Sequence, residues 1–369
     1  GHVIKQGVCD FPLIGPHKEA TMQIPFVCDS TLFGEHFLTL RAVTKRVNGL
    51  LPKGSEVANA QFALPTRRTN ISSIVKKGST LKVTTKNNII NVLGEDFSAS
   101  FSRQSGQLVS LCYYGREMLL QGPKPNFWRP LTDNDVANGT LTRCGIWKQA
   151  SEDMQLKNLE STVSKSSVCI KVSYNMPKQE AHTDMIYMVD ASGNIRVTMH
   201  FIPMNKSLPE MPRLGTAMLL PAVFDQMKWY GRGPHENYAD RKESALIDVY
   251  TQSVWEQYHP YVRAQETGNK CDVRWVEMTD LQGRGLRIIG DEVLNVSAWN
   301  FLQEDIDYIP AKKHHRHGGS VKRKELVWLN IDHRLMGVGG DNTWGAEVHP
   351  EYTITPKEWT FSYTISPLK

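Results

Sequence analysis

No CxxC pair or other zinc-like spacing joins the six cysteines, Cys9, Cys28, Cys112, Cys144, Cys169 and Cys271, so neither a zinc ribbon nor a compact disulfide framework is written in the chain. At 369 residues the protein can bury an ample core without covalent staples, and the cysteines read as free thiols. No apolar run approaches the length of a membrane-spanning helix, and no segment has the basic, apolar, small-residue order of a signal peptide. P-loop, dinucleotide and GxSxG patterns are missing, which removes the commonest nucleotide-binding and serine-hydrolase signatures. No repeat recurs at a fixed period, so a propeller or solenoid is disfavoured. Strong charge is absent too, with a net charge of +5 and 22% charged residues. The densest basic stretch, 312–324, has no interleaved aromatics and reads as a solvated loop or a protein contact rather than a nucleic-acid surface.

Helical periodicity is nearly absent, and the short helices expected are at 151–159 and 301–307. What fills the chain is alternation of apolar and polar residues, the two-residue period of half-buried strands, as in Val168-Cys169-Ile170-Lys171-Val172 and Trp359-Thr360-Phe361-Ser362-Tyr363. Turn pairs such as Ser105-Gly106, Asn138-Gly139 and Ser192-Gly193 punctuate it. The expected class is all-β, built from antiparallel sandwiches. A breaker at Ala63-Leu64-Pro65-Thr66 divides the chain. Residues 1–65 hold strand-like runs at 3–5, 21–24, 37–42 and 56–62, part of an immunoglobulin-like sandwich. Residues 66–369 suit one large sandwich of roughly 16 to 20 strands. The opening residues read as the far side of a hairpin, so a longer parent chain is expected.

Three segments are dense in glycine and polar residues. The last, Gly337-Val338-Gly339-Gly340-Asp341-Asn342-Thr343-Trp344-Gly345, combines a bendable backbone with one indole, either a sugar-stacking platform or a turn with its tryptophan in the core. In the first, 126–135, Asp133 and Asp135 lack the remaining ligands of a calcium loop and read as an Asx turn. In the second, 230–241, His235, Glu236 and Asp240 are candidates for acid/base work, or for a buried corner neutralised by Arg232 and Arg241. The cluster His314, His315 and His317 sits among basic residues that disfavour a bound cation. No metal site is expected.

These segments, in this order, resemble the C-terminal part of the large bacterial β-galactosidases of glycoside hydrolase family 2. The matching stretches are Phe127-Trp128-Arg129-Pro130-Leu131-Thr132-Asp133-Asn134-Asp135, Gly231 to Arg241, Pro260-Tyr261-Val262-Arg263-Ala264-Gln265-Glu266-Thr267-Gly268-Asn269, Trp328 to Asp332, and Gly337 to Trp344. Ala264 stands where a proline is common in the family. The resemblance implies a galactose mutarotase-like β-sandwich preceded by the tail of an immunoglobulin-like domain. It also implies that the catalytic glutamates, magnesium and sodium belong to a barrel domain elsewhere in the polypeptide. The chain itself is then expected to need no cofactor and to be inactive alone. The resemblance implies one substrate-facing residue, Trp344; the loop's own chemistry adds Asp341 and Asn342 as candidates for the sugar, and more remotely His235 and Glu236. Expected partners are a β-galactoside, the barrel domain and a second copy in a homo-oligomer; nucleic acid and membrane are not. The alternative is a stand-alone aldose epimerase or carbohydrate-binding module that opens the sugar ring with His235 and Glu236.

Overall fold

A computed structural model describes residues 1–27, 33–65, 80–310, 317–342 and 344–369. The chain divides into two compact units, Gly1–Ile74 and Val75–Lys369. The first holds one antiparallel hairpin, β1 (His36–Val43) against β2 (Glu56–Leu64), with His36 opposite Leu64. The strands expected at 3–5 and 21–24 do not form. Residues 1–27 carry no ladder, and Val3, Val8 and Leu13 are exposed. Alternation yields a strand only where a neighbour supplies hydrogen bonds and a face to bury, and none is present there among the described residues.

The second unit opens with a five-stranded meander: β3 (Lys82–Lys86), β4 (Ile89–Leu93), β5 (Phe97–Ser102), β6 (Leu108–Tyr113) and β7 (Arg116–Glu117). Strand β8 (Gln121–Asn126) leads to two short helices, α1 (Asp133–Ala137) and α2 (Thr140–Cys144). Then come β9 (Gln155–Val163), β10 (Ser167–Met176), β11 (Ala181–Asp190), β12 (Ile195–Pro203), β13 (Arg213–Pro221) and β14 (Gln226–Gly233). The last strands are β15 (Leu246–Ser253), β16 (Lys270–Thr279), β17 (Gly285–Trp299), β18 (Leu326–Leu335) and β19 (Trp359–Leu368). A twelve-stranded antiparallel sheet runs β15-β14-β16-β17-β19-β12-β11-β10-β9, and β18, β13 and β8 extend from β17 in turn. The fifteen-residue β17 is the fork: 285–290 pair with β19, whereas 295–299 pair with β18. One strand serving two neighbours lets the sheet curl around its own interior.

Register explains the core. Ile170, Tyr187, Val197 and Tyr363 lie opposite one another across β10, β11, β12 and β19, and all four are buried. The adjacent inward row is Val172, Met185, Met199 and Phe361. Each such side chain contributes about 1.5 to 3 kcal/mol by leaving water, and a one-residue slip would turn both rows outward. Phe101 of the meander packs on Tyr187 at 5.2 Å between ring centroids, which joins the two sheets into a sandwich.

Of the two expected helices, 301–307 contains a single 3-10 turn, Gln303–Asp305. The other, 151–159, is incorrect: β9 begins at Gln155. Leu156 and Leu159 are three residues apart, a helical spacing, yet both face the core. The cause is a bulge. Leu159 pairs with Val172 and Leu156 with Tyr174, so Lys157 is skipped and an i,i+3 pair shares one strand face.

Candidate functional site

The three glycine-rich and polar segments meet at one corner of the second unit. Thr132 caps α1: its hydroxyl accepts from the Asp135 N–H, and the Asp135 carboxylate accepts from the Thr132 N–H in return. That buried carboxylate also takes two hydrogen bonds from Arg129, at 2.6 and 3.2 Å. Arg129 in turn donates to the Gly337 carbonyl at 2.9 Å, so the first segment grips the start of the tryptophan loop. Asn134 donates to the Val338 carbonyl at 3.2 Å. From the second segment, Asp240 accepts from the N–H groups of Val338 and Gly339 at 3.1 and 2.8 Å. Gly337 allows this approach, because a Cβ there would lie 2.5 Å from an Asp240 oxygen. At the far end Asn138 donates to the Ala346 carbonyl.

Beneath the corner lies a buried ionic cluster. Arg213 of β13 donates to the Trp128 carbonyl, to Asp332 at 2.5 Å and to Glu266 at 3.2 Å. Three buried carboxylates, Asp135, Glu266 and Asp332, thus face two guanidiniums, Arg129 and Arg213. Burial pushes Glu266 up to about 7 against the pull of Arg213 and Arg129, and pushes Asp332 up to about 7 against the pull of Arg213. Among the described residues Glu266 Oε1, Asp332 Oδ1, Arg129 Nε and Tyr238 Oη have no hydrogen-bond partner. Lys270, also buried, donates to the Gly268 carbonyl at 3.0 Å and lies 5.3 Å from the Trp229 ring centroid. Burial pulls its ammonium down to about 7.

The candidate acid/base residues are not assembled for proton transfer. Glu236 accepts from Arg241 at 2.8 Å, Gly268 N–H at 2.8 Å, Thr267 at 3.1 Å and the Tyr261 hydroxyl. Burial alone would raise it, but these donors together hold it below the ordinary glutamate value. His235 instead bonds Ser244 at 3.0 Å on the surface. Of the two arginines expected to neutralise this corner, Arg241 does so, while Arg232 pairs with Asp272 at 2.6 Å. Asp240 spends its carboxylate on loop backbone. Asp133 and Asp135 part company, the former taking Arg263 at 2.6 Å and Gln265 at 2.9 Å. His314 and His315 lie outside the described residues, and His317 forms an isolated bridge with Arg263. Among the described residues no three His, Cys, Asp or Glu side chains gather as metal ligands. Cys9, Cys112, Cys144, Cys169 and Cys271 are free thiols, and Cys28 lies outside the described residues.

What the corner displays is an indole. Trp344 is 92% exposed, which rules out the core reading of this loop. Asn342 Oδ1 accepts from the N–H groups of Trp344 and Ala346 at 2.8 and 3.3 Å, and Asp341 pairs with His349 at 2.6 Å. Sequence reasoning passed over Arg213, Asp332 as its partner, and His349. Arg213 had a signal, a lone cation entering the apolar run Leu214-Gly215-Thr216-Ala217-Met218. His349 had none.

Comparison with known proteins points one way. The family described as "Beta galactosidase small chain" matches residues 93–365, and "Beta-galactosidase, domain 4" matches residues 1–65. A beta-galactosidase of Priestia megaterium is 34% identical over 351 residues, which is 95% of this chain and 33% of that protein. One from Halalkalibacterium halodurans is 32% identical over 87% of this chain and 31% of its own, and one from Streptococcus thermophilus 28% identical over 96% and 34%. The chain spans about a third of the length of these relatives. Among solved structures, the galactose 1-epimerase of Lactobacillus acidophilus overlaps 80% of this chain and 99% of its own, at a TM-score of 0.38 and 10% identity. An alpha-mannosidase of Enterococcus faecalis overlaps 91% and 36%, at a TM-score of 0.42 and 10% identity. Those scores are too low to carry an argument. With nearly three quarters of its length inside one family match, the chain belongs to the beta-galactosidase small-chain family.

Proposed function

We propose that this chain acts as an accessory, non-catalytic part of a β-galactosidase, an enzyme that hydrolyses terminal β-D-galactosides, and that it presents Trp344 to the sugar. The observation that carries the reading is the 92% exposure of that indole on a loop whose base is held by Arg129, Asn134 and Asp240. A solvated indole costs apolar hydration unless a ligand covers it, and the C–H face of a pyranose is a fitting cover. Asn342 complements it. Its carbonyl is engaged by loop N–H groups, while its amide nitrogen makes no hydrogen bond among the described residues and is available to a sugar hydroxyl.

The catalytic carboxylates come from a barrel domain of the same polypeptide, together with the magnesium and sodium that such a domain carries. Retaining hydrolysis needs two carboxyl groups about 5 Å apart, one of them free to give and take a proton. In this corner Glu236, Asp240 and Asp341 are each occupied by donors. The epimerase alternative lacks its acid/base pair for the same reason, since Glu236 is saturated and His235 faces Ser244. The purified 369-residue chain is expected to leave an aryl β-galactoside intact, and turnover at rates typical of an enzyme would overturn the assignment. Addition of the barrel-bearing remainder of the polypeptide is expected to restore hydrolysis.

A further inference from the structure

The base and tip of the tryptophan loop are held differently. At the base, backbone groups of Gly337, Val338 and Gly339 are tied by Arg129, Asn134 and Asp240. At the tip, a Cβ added to Gly340 would meet nothing within 4 Å, Trp344 is almost wholly exposed, and among the described residues Asn342 bonds loop N–H groups alone. Among the described residues, the side-chain tie from the tip to the chain beyond Ala346 is the pair of Asp341 Oδ2 with His349 Nε2, at 2.6 Å. His349 immediately precedes the turn Pro350–Tyr352, whose Tyr352 carbonyl accepts from the Gly337 N–H. The imidazole is therefore fixed to the same backbone that anchors the loop base.

Among the described residues, the charges that act most strongly on His349 are carboxylates. Asp341 comes from the loop tip, Glu351 from the following turn at 3.8 Å from Nδ1, and Asp240 from the connection after β14. Three carboxylates favour the imidazolium, Asp341 most by its hydrogen bond and charge, and raise its titration above the ordinary histidine value.

We propose that His349 is a positioning residue for Trp344: protonated, its charge-assisted bond to Asp341 fixes the loop tip; neutral, that bond loses its charge and loosens, and the indole swings more freely. The device rests on the platform reading above, because a swinging indole matters only if it stacks on substrate. It makes Asp341 a latch rather than a sugar ligand. The sign follows from the charges: the latch is closed below the raised histidine pKa and opens as pH rises through it.

The test uses 5-fluorotryptophan in the purified chain, with the Trp344 resonance identified by its loss in Trp344→Phe. From pH 5 to pH 9 that resonance is expected to titrate once, with a midpoint above 6.5, and to narrow on the alkaline side as the tip is freed. His349→Gln and Asp341→Asn are expected to abolish the titration and to give the alkaline line width at every pH. A wild-type resonance indifferent to pH, or a titration that survives His349→Gln, would overturn the proposal. In the complete hydrolase, KM for an aryl galactoside is expected to rise about two- to fivefold across the same midpoint, the size of one exposed ion pair, with kcat unchanged. That rise is absent in His349→Gln. If Trp344→Ala raises KM while His349→Gln follows wild type at every pH, the latch is wrong and the platform stands. If Trp344→Ala leaves KM unaltered while the fluorine signal still titrates through His349, the latch is real and the platform reading falls.

Discussion

Arg213 shows how a buried charge is tolerated and what it brings with it. A guanidinium removed from water survives only with well-placed acceptors, and Arg213 has Asp332, Glu266 and the Trp128 carbonyl. Burial pushes both carboxylates up to about 7 against the pull of Arg213, which they share. Between about pH 4 and pH 7 the folded chain therefore binds more protons at this pair than the unfolded chain, and the pair's contribution to stability falls as pH rises through that window. Glu266→Gln mimics the protonated acid and removes the share that Glu266 contributes. The melting temperature of wild type minus that of Glu266→Gln is expected to shrink from pH 5 to pH 8. A difference that stays constant or grows would show that Glu266 titrates near its ordinary value in the fold.

At the scale of elements, the tryptophan loop and α1 form one unit, although about 200 residues separate them in sequence. Gly337 is the contact point. Gly337→Ala would place a methyl 2.5 Å from the Asp240 carboxylate and displace the acceptor of two loop N–H groups. Limited proteolysis between 339 and 345 is expected to accelerate several-fold, with stability falling by about 1 to 3 kcal/mol from overpacking. Unchanged cleavage would mean that Asp240 does not hold the loop. The same scale shows what sequence could reveal. Alternation placed β10, β12 and β19, because apolar and polar residues alternate along 168–172, 195–199 and 359–363. It failed at 151–159, where the bulge at Lys157 gives Leu156 and Leu159 a helical spacing on a strand. The Asx turn expected at Asp133 and Asp135 proved to be the capped start of α1, a helix too short to show periodicity.

Across the whole molecule, legibility tracked local chemistry. The three segments were visible because glycine, asparagine and aspartate cluster there, and their order carried the resemblance. Their convergence was not visible: the bonds from Arg129 to Gly337 and from Arg213 to Asp332 span 208 and 119 residues, and no local pattern encodes such pairs. Nor did composition separate the roles within a segment, since Glu236 and Asp240 look equally suited to catalysis until their donors are seen. The central claim is that this buried scaffold exists to hold one indole outward for a sugar, and the complete hydrolase carrying Trp344→Ala tests it most directly. The melting temperature and KM are measured on the same preparation. The account predicts an almost unchanged melting temperature, because a side chain that is 92% exposed packs against little, and a KM weakened by the equivalent of about 1 to 3 kcal/mol for one lost stacking surface. A fall in stability of about 3 to 5 kcal/mol with unchanged KM, the behaviour of a core tryptophan, would contradict it.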